Sequence, residues 1–267
     1  MTTTVSLHKG QYSGEITDIQ YLKGLTIGST SYSEEAHISP LHYHENPHIS
    51  FLLEGGHIEK RNSTSFERLP GDMLFCNGGE PHQFITKKFP SKNINLELDY
   101  EFLAEYNISE TNINEAVSKN PDAKFLMLKI YKELLANDNF LEPSVQILVF
   151  GLVNNSAQLA AQKKPKWASL LFEILNDKWN EKLTLNEISN LTQVHPVTIS
   201  KHFTKYFACT LGEYMRKLRI SKSIGLIRNQ NNSLTDVAFE CGFADQSHFI
   251  RTFKETTGWL PKKFQQL

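Results

Sequence analysis

Residues 233–264 read SLTDVAFECGFADQSHFIRTFKETTGWLPKKF, and this stretch decides how the rest of the chain is interpreted. A short amphipathic segment ends before Gly242, because glycine readily takes the left-handed backbone conformation that ends helices. In the second segment Phe249 and Phe253 lie four residues apart on one face, and Asp245 is placed to cap its start. Two short helices joined by a tight glycine turn predict a helix-turn-helix, although an ordinary helical hairpin would show the same features.

A set of fixed positions makes this stretch more specific than a generic helix pair. They are Val237, Ala238, Gly242, Phe243, Phe249, Arg251, Phe253, Lys254, Gly258, Pro261 and Phe264. In order and spacing they resemble the signature of the AraC/XylS family of bacterial transcription regulators, which more often has Tyr where Phe264 stands. The resemblance reaches upstream to Trp167. It implies a C-terminal all-α domain with two helix-turn-helix units, double-stranded DNA as a partner, and RNA polymerase as a further partner.

Charge is divided unevenly along the chain. Residues 163–267 carry 16 Lys and Arg against 9 Asp and Glu, a balance of +7, whereas residues 1–162 carry 12 against 20, a balance of −8. A basic part joined to an acidic part favours a nucleic-acid-binding domain next to a domain with another role. An unevenly charged solvated surface would give the same numbers without any nucleic acid.

The cysteines and the apolar stretches bear on the cellular compartment. Cys76, Cys209 and Cys241 are far apart and odd in number, so neither a disulfide framework nor a C-x-x-C metal motif is visible. The N-terminal sequence MTTTVSLHKG lacks the basic flank and apolar run of a secretory signal. The most apolar stretch, residues 145–153, is too short to span a bilayer. We therefore expect a soluble, cytoplasmic protein with no membrane partner.

Residues 1–100 predict a small β domain. Short runs such as 48–53, 72–75 and 94–98 lie between turn signals made of Gly, Pro, Asn and Ser. Many short strands in such a length are typical of a small barrel or jelly roll. The chain as a whole is expected to be a multidomain α+β protein, with an N-terminal β-barrel, a helical middle and an all-α C-terminal part.

The pattern becomes helical after Tyr100. Pro121 fits the first turn of a helix over residues 122–136, and Pro143 opens another that carries apolar residues as far as Leu159. Both helices have more apolar positions than one face needs. We interpret residues 101–162 as a linker and dimerisation region, because the middle of the AraC/XylS family often provides an antiparallel dimer interface. Packing of both helices onto the barrel would explain the same pattern.

Residues 163–267 are expected to form the DNA-binding domain, entered through a basic, proline-broken linker at residues 162–166. In the first helix-turn-helix unit, Thr184 and Glu187 have the spacing of a capping box, and the second helix is expected over residues 195–206. The polar faces of the two reading helices supply the candidate DNA-binding residues. These are Val197, Thr198, Ser200, Lys201 and Lys205 in the first unit, and Gln246, Ser247, His248, Ile250 and Arg251 in the second.

Such side chains suit base reading, because Arg binds guanine with two hydrogen bonds, Gln binds adenine, and apolar groups touch the thymine methyl. Alignment on the family motif implies that some of them face the bases: Val197, Ser200 and Lys201 in the first unit, and Gln246, Ser247, Ile250 and Arg251 in the second. The family usually has Arg where Lys201 stands, and Lys offers a point charge rather than a planar fork. A solvated surface would explain each position equally well.

Seven of the ten histidines lie in residues 1–82, and four of them form a pattern. The sequence His42-x-His44, followed by His48 and Gly55, resembles the first motif of cupin barrels. A second group of residues resembles the second cupin motif, and it consists of Gly71, Asp72, Asn77, Gly79 and His82. Residues two apart on a strand share a face. We therefore expect His42, His44, His48 and His82 to converge in one barrel mouth, which makes residues 1–100 a cupin-like sensing barrel.

The four histidines support two interpretations. Imidazole suits Zn, Cu, Ni or Fe(II), so His42, His44, His48 and His82 are candidate metal ligands. They are equally candidates for lining the pocket of an organic effector, or for simple hydrogen bonding inside the barrel. Three positions depart from the cupin motif, since His48, Asn77 and Thr86 stand where Glu, Pro and Asn are usual.

Two function classes follow from these features. The first is a sequence-specific transcription regulator that is not an enzyme, works as a homodimer and is controlled by a small-molecule effector in the barrel. The second is a cupin metalloenzyme, an oxygenase or isomerase, fused to a DNA-binding domain. Four His ligands would leave little open coordination for a substrate, and no separate acid–base pair is visible, which favours the regulator.

Overall fold

The computed structural model describes residues 4–33, 37–61, 64–160, 165–229 and 232–267, and it describes the side chains of all of these except 154–160. The chain divides into two compact units. The N-terminal unit contains residues 1–118 and 123–154, and the C-terminal unit contains residues 119–122 and 155–267. Most of the region 101–162 therefore belongs to the same unit as the strands.

Eight strands form a single sheet in the N-terminal unit. They are β1 (Val5–Leu7), β2 (Glu15–Leu22), β3 (Leu25–Tyr32), β4 (His42–His44), β5 (His48–Arg61), β6 (Thr64–Arg68), β7 (Met73–Cys76) and β8 (His82–Leu98). Five strands pair in the order β1-β4-β8-β3-β2. Strand β8 also pairs with β5, and β5 in turn pairs with β6 and β7. The long β8 is thus the hub of the sheet.

The predicted N-terminal β-barrel is confirmed only as a curled sheet, which is open over the described residues. The strand β2 pairs only with β3, and β6 and β7 pair only with β5, so the sheet keeps free edges. Short strands at close spacing indicated a curled β domain correctly. They do not determine whether the first and last strands meet.

The two faces of β8 differ in chemistry although both are buried. Ile94, Leu96 and Leu98 alternate with Asn93, Asn95 and Glu97, and all six side chains are less than a tenth exposed. Because side chains alternate across a strand, the apolar set lies on one face and the polar set on the other. Asn93 and Asn95 of the polar face line the pocket described below. The apolar face belongs to the core.

Four helices follow the strands: α1 (Tyr100–Glu105), α2 (Glu110–Lys119), α3 (Ala123–Ala136) and α4 (Leu141–Ala160). They lie in the N-terminal unit except for Lys119 and residues 155–160, which are assigned to the C-terminal unit. Helix α2 is absent from the sequence-based prediction, and it buries only Ile113 and Ala116. Helix α4 begins two residues before Pro143, which lies in its first turn, where a proline is tolerated. Phe150 of α4 lies against Phe102 and Tyr106, with ring centroids 6.0 and 4.8 Å apart.

The C-terminal unit contains seven helices over the described residues. They are α5 (Lys166–Asp177), α6 (Leu185–Thr192), α7 (Pro196–Phe207), α8 (Leu211–Arg228), α9 (Leu234–Glu240), α10 (Gln246–Thr257) and α11 (Pro261–Phe264). Of the predicted linker, residues 162–164 lie outside the described ranges. Pro165 is the N-cap of α5 and Lys166 is already helical.

Each half of this unit has its own apolar centre. Leu171, Ile188, Ile199 and Phe203 form the first, and Val237, Phe249, Phe253 and Phe264 lie in the second, all at most 2% exposed. The predicted pair of helix-turn-helix units joined by one long helix is confirmed. None of the helices in the described ranges is long and apolar enough to cross a membrane.

Candidate functional site

The first helix-turn-helix unit is set by local capping. The Thr184 hydroxyl accepts a hydrogen bond from the Glu187 backbone N–H at 3.3 Å, and the Glu187 carboxylate accepts one from the Thr184 N–H at 2.7 Å. This is the predicted capping box. Helix α6 ends at Gln193 in the left-handed conformation, with φ 55°. His195 then caps α7, whose first residue is Pro196.

Helix α7 has one buried face and one free face. Ile199, Phe203 and Phe207 are buried, whereas Val197 is 64% exposed. Thr198, Ser200, Lys201 and Lys205 are exposed as well. All five candidate reading residues of the first unit therefore face solvent, which leaves them available to DNA.

The second unit has the same organisation. Gly242 takes φ +71° at the turn, and the Asp245 carboxylate accepts a hydrogen bond from the His248 N–H at 2.7 Å, which caps α10. Of its candidate reading residues, Ser247 and Arg251 are exposed, while Gln246, His248 and Ile250 are half-buried.

Two of these half-buried residues are already engaged within the unit. The Gln246 side-chain oxygen accepts a hydrogen bond from the Thr235 hydroxyl at 3.0 Å. The His248 ring packs edge-on against Phe243, with centroids 5.3 Å apart. Among the candidate reading residues of this helix, Arg251 is therefore the long, exposed donor.

A single arginine, which was not identified from the sequence, joins the two helix-turn-helix units. Arg219 of α8 donates to the carbonyls of Trp179 at 3.1 Å and Glu181 at 2.8 Å, which follow α5. It also donates to the carbonyl of Gly242 at 2.9 Å, in the turn of the second unit. A Cβ added at Gly242 would lie 2.4 Å from the Asn180 carbonyl oxygen, so the two loops are in direct contact. We call this set of contacts the Arg219 clamp.

In the N-terminal unit the structure brings the four patterned histidines together. The ring centroids of His42 and His82 lie 4.4 Å apart, and those of His44 and His48 lie 4.2 Å apart. The two pairs lie next to each other, because the ring centroids of His44 and His82 are 5.6 Å apart. All four side chains are at most 4% exposed. We call these rings and their neighbours the polar pocket.

Cys76 joins this cluster from β7, because the register places it directly opposite His48. Potential ligand atoms of His48, Cys76 and His82 lie within 4.8 Å of one another, and so do those of His42, His44 and His82. His82 thus belongs to two overlapping triads. Sequence reasoning missed Cys76, since only the pairing of β5 with β7 reveals it.

A buried ion network continues the pocket. The Glu59 carboxylate lies 3.5 Å from Arg61 and 3.8 Å from Arg68, and Arg61 also reaches Glu80 at 3.3 Å. Arg61 donates to the Cys76 sulfur as well. Desolvation by burial raises the pKa of Glu59, and the same cause raises the pKa of the Cys76 thiol to about 12.

Burial keeps the pocket histidines neutral. Desolvation, assisted by the neighbouring histidines, lowers the pKa of His42 to about 4 and that of His44 to about 3. It lowers the pKa of His48 and of His82 too. Neutral imidazoles carry a lone pair, which is the form that binds metals and accepts hydrogen bonds.

Comparison with known proteins agrees with the helix-turn-helix geometry. The family model described as a helix-turn-helix domain matches residues 188–267. The transcriptional activator RhaR of Mannheimia succiniciproducens is 21% identical over 241 residues, covering 85% of this chain and 87% of its own length. RhaS of Shigella sonnei is 22% identical over 246 residues with the same coverage. RhaS of Enterobacter sp. is 29% identical over 119 residues, which is 45% of this chain and 40% of that protein.

Solved structures give a weaker likeness. ToxT of Vibrio cholerae O395 covers 91% of this chain and 98% of its own at 12% identity, with a TM-score of 0.38. At that identity and TM-score the likeness carries no argument about function. The three relatives named above are each described as a transcriptional activator.

Proposed function

We propose that this chain is an AraC-type helix-turn-helix transcription regulator, and that it reads two successive major-groove segments of duplex DNA under the control of an effector in the polar pocket. The observation that carries the DNA-reading half is the pair of capped helices, α7 and α10, each with a buried apolar face and an exposed polar face. Such helices enter the major groove, and two of them on one face of the duplex read segments about 34 Å apart.

Arg251 is expected to read one base pair. Arg251→Ala in the full-length protein should weaken binding to the cognate site by about 1–3 kcal/mol and relax specificity at one position, because a bidentate arginine–guanine contact is lost. The measurement is a titration of labelled duplexes that carry each base substitution in turn, at fixed salt.

Lys254 gives the matched control for Arg251. It is exposed on the same helix one turn later, and we expect its ammonium group to contact a phosphate, a contact that positions the protein without reading sequence. Lys254→Ala should weaken binding to all sequences about equally and reduce the salt dependence. If Arg251→Ala also weakened random DNA to the same extent, its contact would be with phosphate and base reading by this residue would be excluded.

We infer that the functional unit is a homodimer formed through α4. The inward face of this helix buries Leu141, Val145 and Val149. Ile147 on the other side is 70% exposed, and Phe140 just before the helix is 71% exposed. A Cβ at Gly151, one turn beyond Ile147, would meet open space. Apolar residues exposed together on one face are typical of an association surface, and a second copy of the same face would cover them.

Ile147→Glu is the direct test of this dimer. It is expected to raise the dimer dissociation constant roughly tenfold or more, because it places a charge at the centre of the contact. Leu148→Glu is a less informative test because Leu148 is half-buried and its substitution would also disturb the core. Tyr21→Ser, which removes another apolar side chain that is 60% exposed, is the matched control. Sedimentation velocity that gave one monomeric species for the unsubstituted protein, with and without DNA, would contradict the dimer.

The curled sheet, its polar interior and its converging histidines support a cupin-like sensing role for the N-terminal unit. Buried polar atoms without partners are costly in a folded protein. Within the described part of the chain, Asn93 Oδ1 and Arg68 Nε are buried without a hydrogen-bond partner, and so are the Nδ1 atoms of His44 and His48. These atoms surround one pocket, which is what an effector site requires.

A further inference from the structure

The hydrogen bonds of His42 and His82 orient these two rings as metal ligands are oriented. The Nδ1 atom of His42 lies 2.8 Å from the Pro40 carbonyl oxygen, and that of His82 lies 3.0 Å from the Glu80 carbonyl oxygen. A carbonyl can only accept, so Nδ1 carries the hydrogen in both rings and Nε2 carries the lone pair. Histidines that bind metals commonly donate their other ring N–H to a backbone carbonyl in this manner.

The other two rings have no partner at one nitrogen. Among the described residues, Nδ1 of His44 and Nδ1 of His48 are buried and make no hydrogen bond. His57, a further buried histidine of the same sheet, differs in this respect. Its Nδ1 and Nε2 pair with the hydroxyls of Thr86 and Ser91, each at 3.1 Å. His37 Nε2, outside the cluster, also lacks a partner, but only the orphaned nitrogens of His44 and His48 lie in the cluster that contains Cys76.

The size of the pocket decides what chemistry it can accept. Its volume is about 30 Å³. One water needs about 10–15 Å³ of such space, so the cavity takes an ion with one or two waters, but not a sugar-sized organic molecule unless the walls move.

We propose that the polar pocket binds one thiophilic divalent metal ion, with Cys76 among its ligands together with His48 and His82, and that this ion is the effector. The inference rests on the regulatory function proposed above. In a tetrahedral site, Zn–N bonds of 2.0–2.1 Å and one Zn–S bond of 2.3 Å separate neighbouring ligand atoms by about 3.3–3.6 Å. Since the atoms of this triad already lie within 4.8 Å of one another, small side-chain movements close the site.

Metal binding at Cys76 releases one proton. The thiol loses its proton to solvent as the sulfur–metal bond forms, because the thiolate is the ligand. The Arg61 guanidinium donates to this sulfur and stabilises the negative charge. A set of imidazole and thiolate donors favours Zn²⁺, Co²⁺, Ni²⁺ or Cu²⁺ over Mg²⁺ and Ca²⁺, which prefer oxygen.

The ligands tie separate strands together, which couples the ion to the conformation of the N-terminal unit. His48 lies on β5, Cys76 on β7 and His82 on β8, and the adjoining His42 and His44 lie on β4. Strand β4 has three residues, and its pairing with β8 consists of one residue pair, His42 opposite His82. An ion that binds one arrangement of these strands better than another shifts the population toward it, which is the thermodynamic condition for an effector.

The test uses the full-length protein, freed of metal by dialysis against a chelator and titrated with Co²⁺. One equivalent is expected to produce the near-ultraviolet sulfur-to-cobalt charge-transfer band, Zn²⁺ should displace it, and Mg²⁺ should leave it unchanged. Cys76→Ser should abolish the band and weaken Zn²⁺ binding roughly tenfold or more. Cys241→Ser, which changes another buried cysteine in the other unit, should retain both. His57→Gln is the matched histidine control and should also retain them.

The second arm measures DNA binding with Zn²⁺ and with chelator. The affinity for the selected site is expected to differ about fivefold or more between the two conditions, and Cys76→Ser should remove the difference. Protein that binds no stoichiometric Co²⁺ or Zn²⁺ would overturn the metal site, and binding without the charge-transfer band would overturn the role of Cys76. Stoichiometric binding with unchanged DNA affinity would overturn the effector role and leave the regulator intact. Loss of specific DNA binding under every ion condition would instead overturn the proposed function, while the cobalt spectra still decided the metal site.

Discussion

Acidification from pH 7.5 to pH 5, in the presence of a chelator, is expected to destabilise the N-terminal unit by on the order of 5 kcal/mol. Five buried histidines of this unit have lowered pKa values, mainly because burial removes them from water. They are His42, His44, His48, His57 and His82. In the unfolded chain each titrates near its usual value of about 6.5.

The sign follows from the protons bound in each state. Above pH 6.5 both states are neutral at these rings and the stability is fully present. Below pH 6.5 the unfolded chain takes up protons that the folded unit refuses, so the free energy of unfolding falls by up to about 1.4 kcal/mol per pH unit for each histidine. Glu59 and Glu97 act in the opposite direction, because burial raises their pKa values. The two glutamates therefore offset only part of the decrease that the five histidines cause in the free energy of unfolding.

Two spectroscopic signals separate this effect from changes in the other unit. All three tryptophans, Trp167, Trp179 and Trp259, lie in the C-terminal unit, so tryptophan fluorescence follows that unit. Far-UV circular dichroism at successive urea concentrations follows the loss of the sheet as well. His57→Gln should reduce the pH dependence by about one histidine's share. A dichroism midpoint that did not move between pH 7.5 and pH 5 would contradict the assignment of these rings as buried and neutral.

The sequence was most informative where structure is determined locally. The Thr184–Glu187 capping box, the left-handed Gly242 and the Asp245 cap are each set by residues within a few positions of one another. Their side chains satisfy backbone groups that the helix ends leave free. For this reason the helix-turn-helix units could be predicted nearly to the residue.

The pocket could be predicted only in part. His42 and His44 share a strand face by the period of two, and their convergence with His48 and His82 follows from the paired motifs. The positions of Cys76, Arg61 and Arg68 depend instead on the register of β5 with its neighbours, which shifts at residues 52–57. A one-residue change of register would place each side chain on the opposite face. Spacing along the chain does not determine that register, and it does not determine whether the sheet closes.

Arg219→Met is expected to destabilise the C-terminal unit by about 2–4 kcal/mol and to loosen the spacing at which DNA is read. Methionine keeps a long apolar side chain but donates no hydrogen bond, so the carbonyls of Trp179, Glu181 and Gly242 lose a charged donor. Through the Arg219 clamp, one side chain of α8 is hydrogen-bonded both to the loop after α5 and to the turn before α10. Its loss should let α7 and α10 change their relative orientation.

This positioning role predicts a specific pattern in DNA binding. One base pair inserted between the two recognised segments rotates them by about 34–36°, which the unsubstituted protein should tolerate poorly. Arg219→Met should bind the original site more weakly and lose less affinity on insertion, whereas Arg219→Lys, which keeps the charge and can reach one carbonyl, should be intermediate. Arg216→Met, an exposed position on the same helix, should leave the spacing preference unchanged. If Arg219→Met lowered the melting temperature but discriminated between the two spacings as sharply as the unsubstituted protein, the arginine would stabilise the fold without setting the distance between the reading helices.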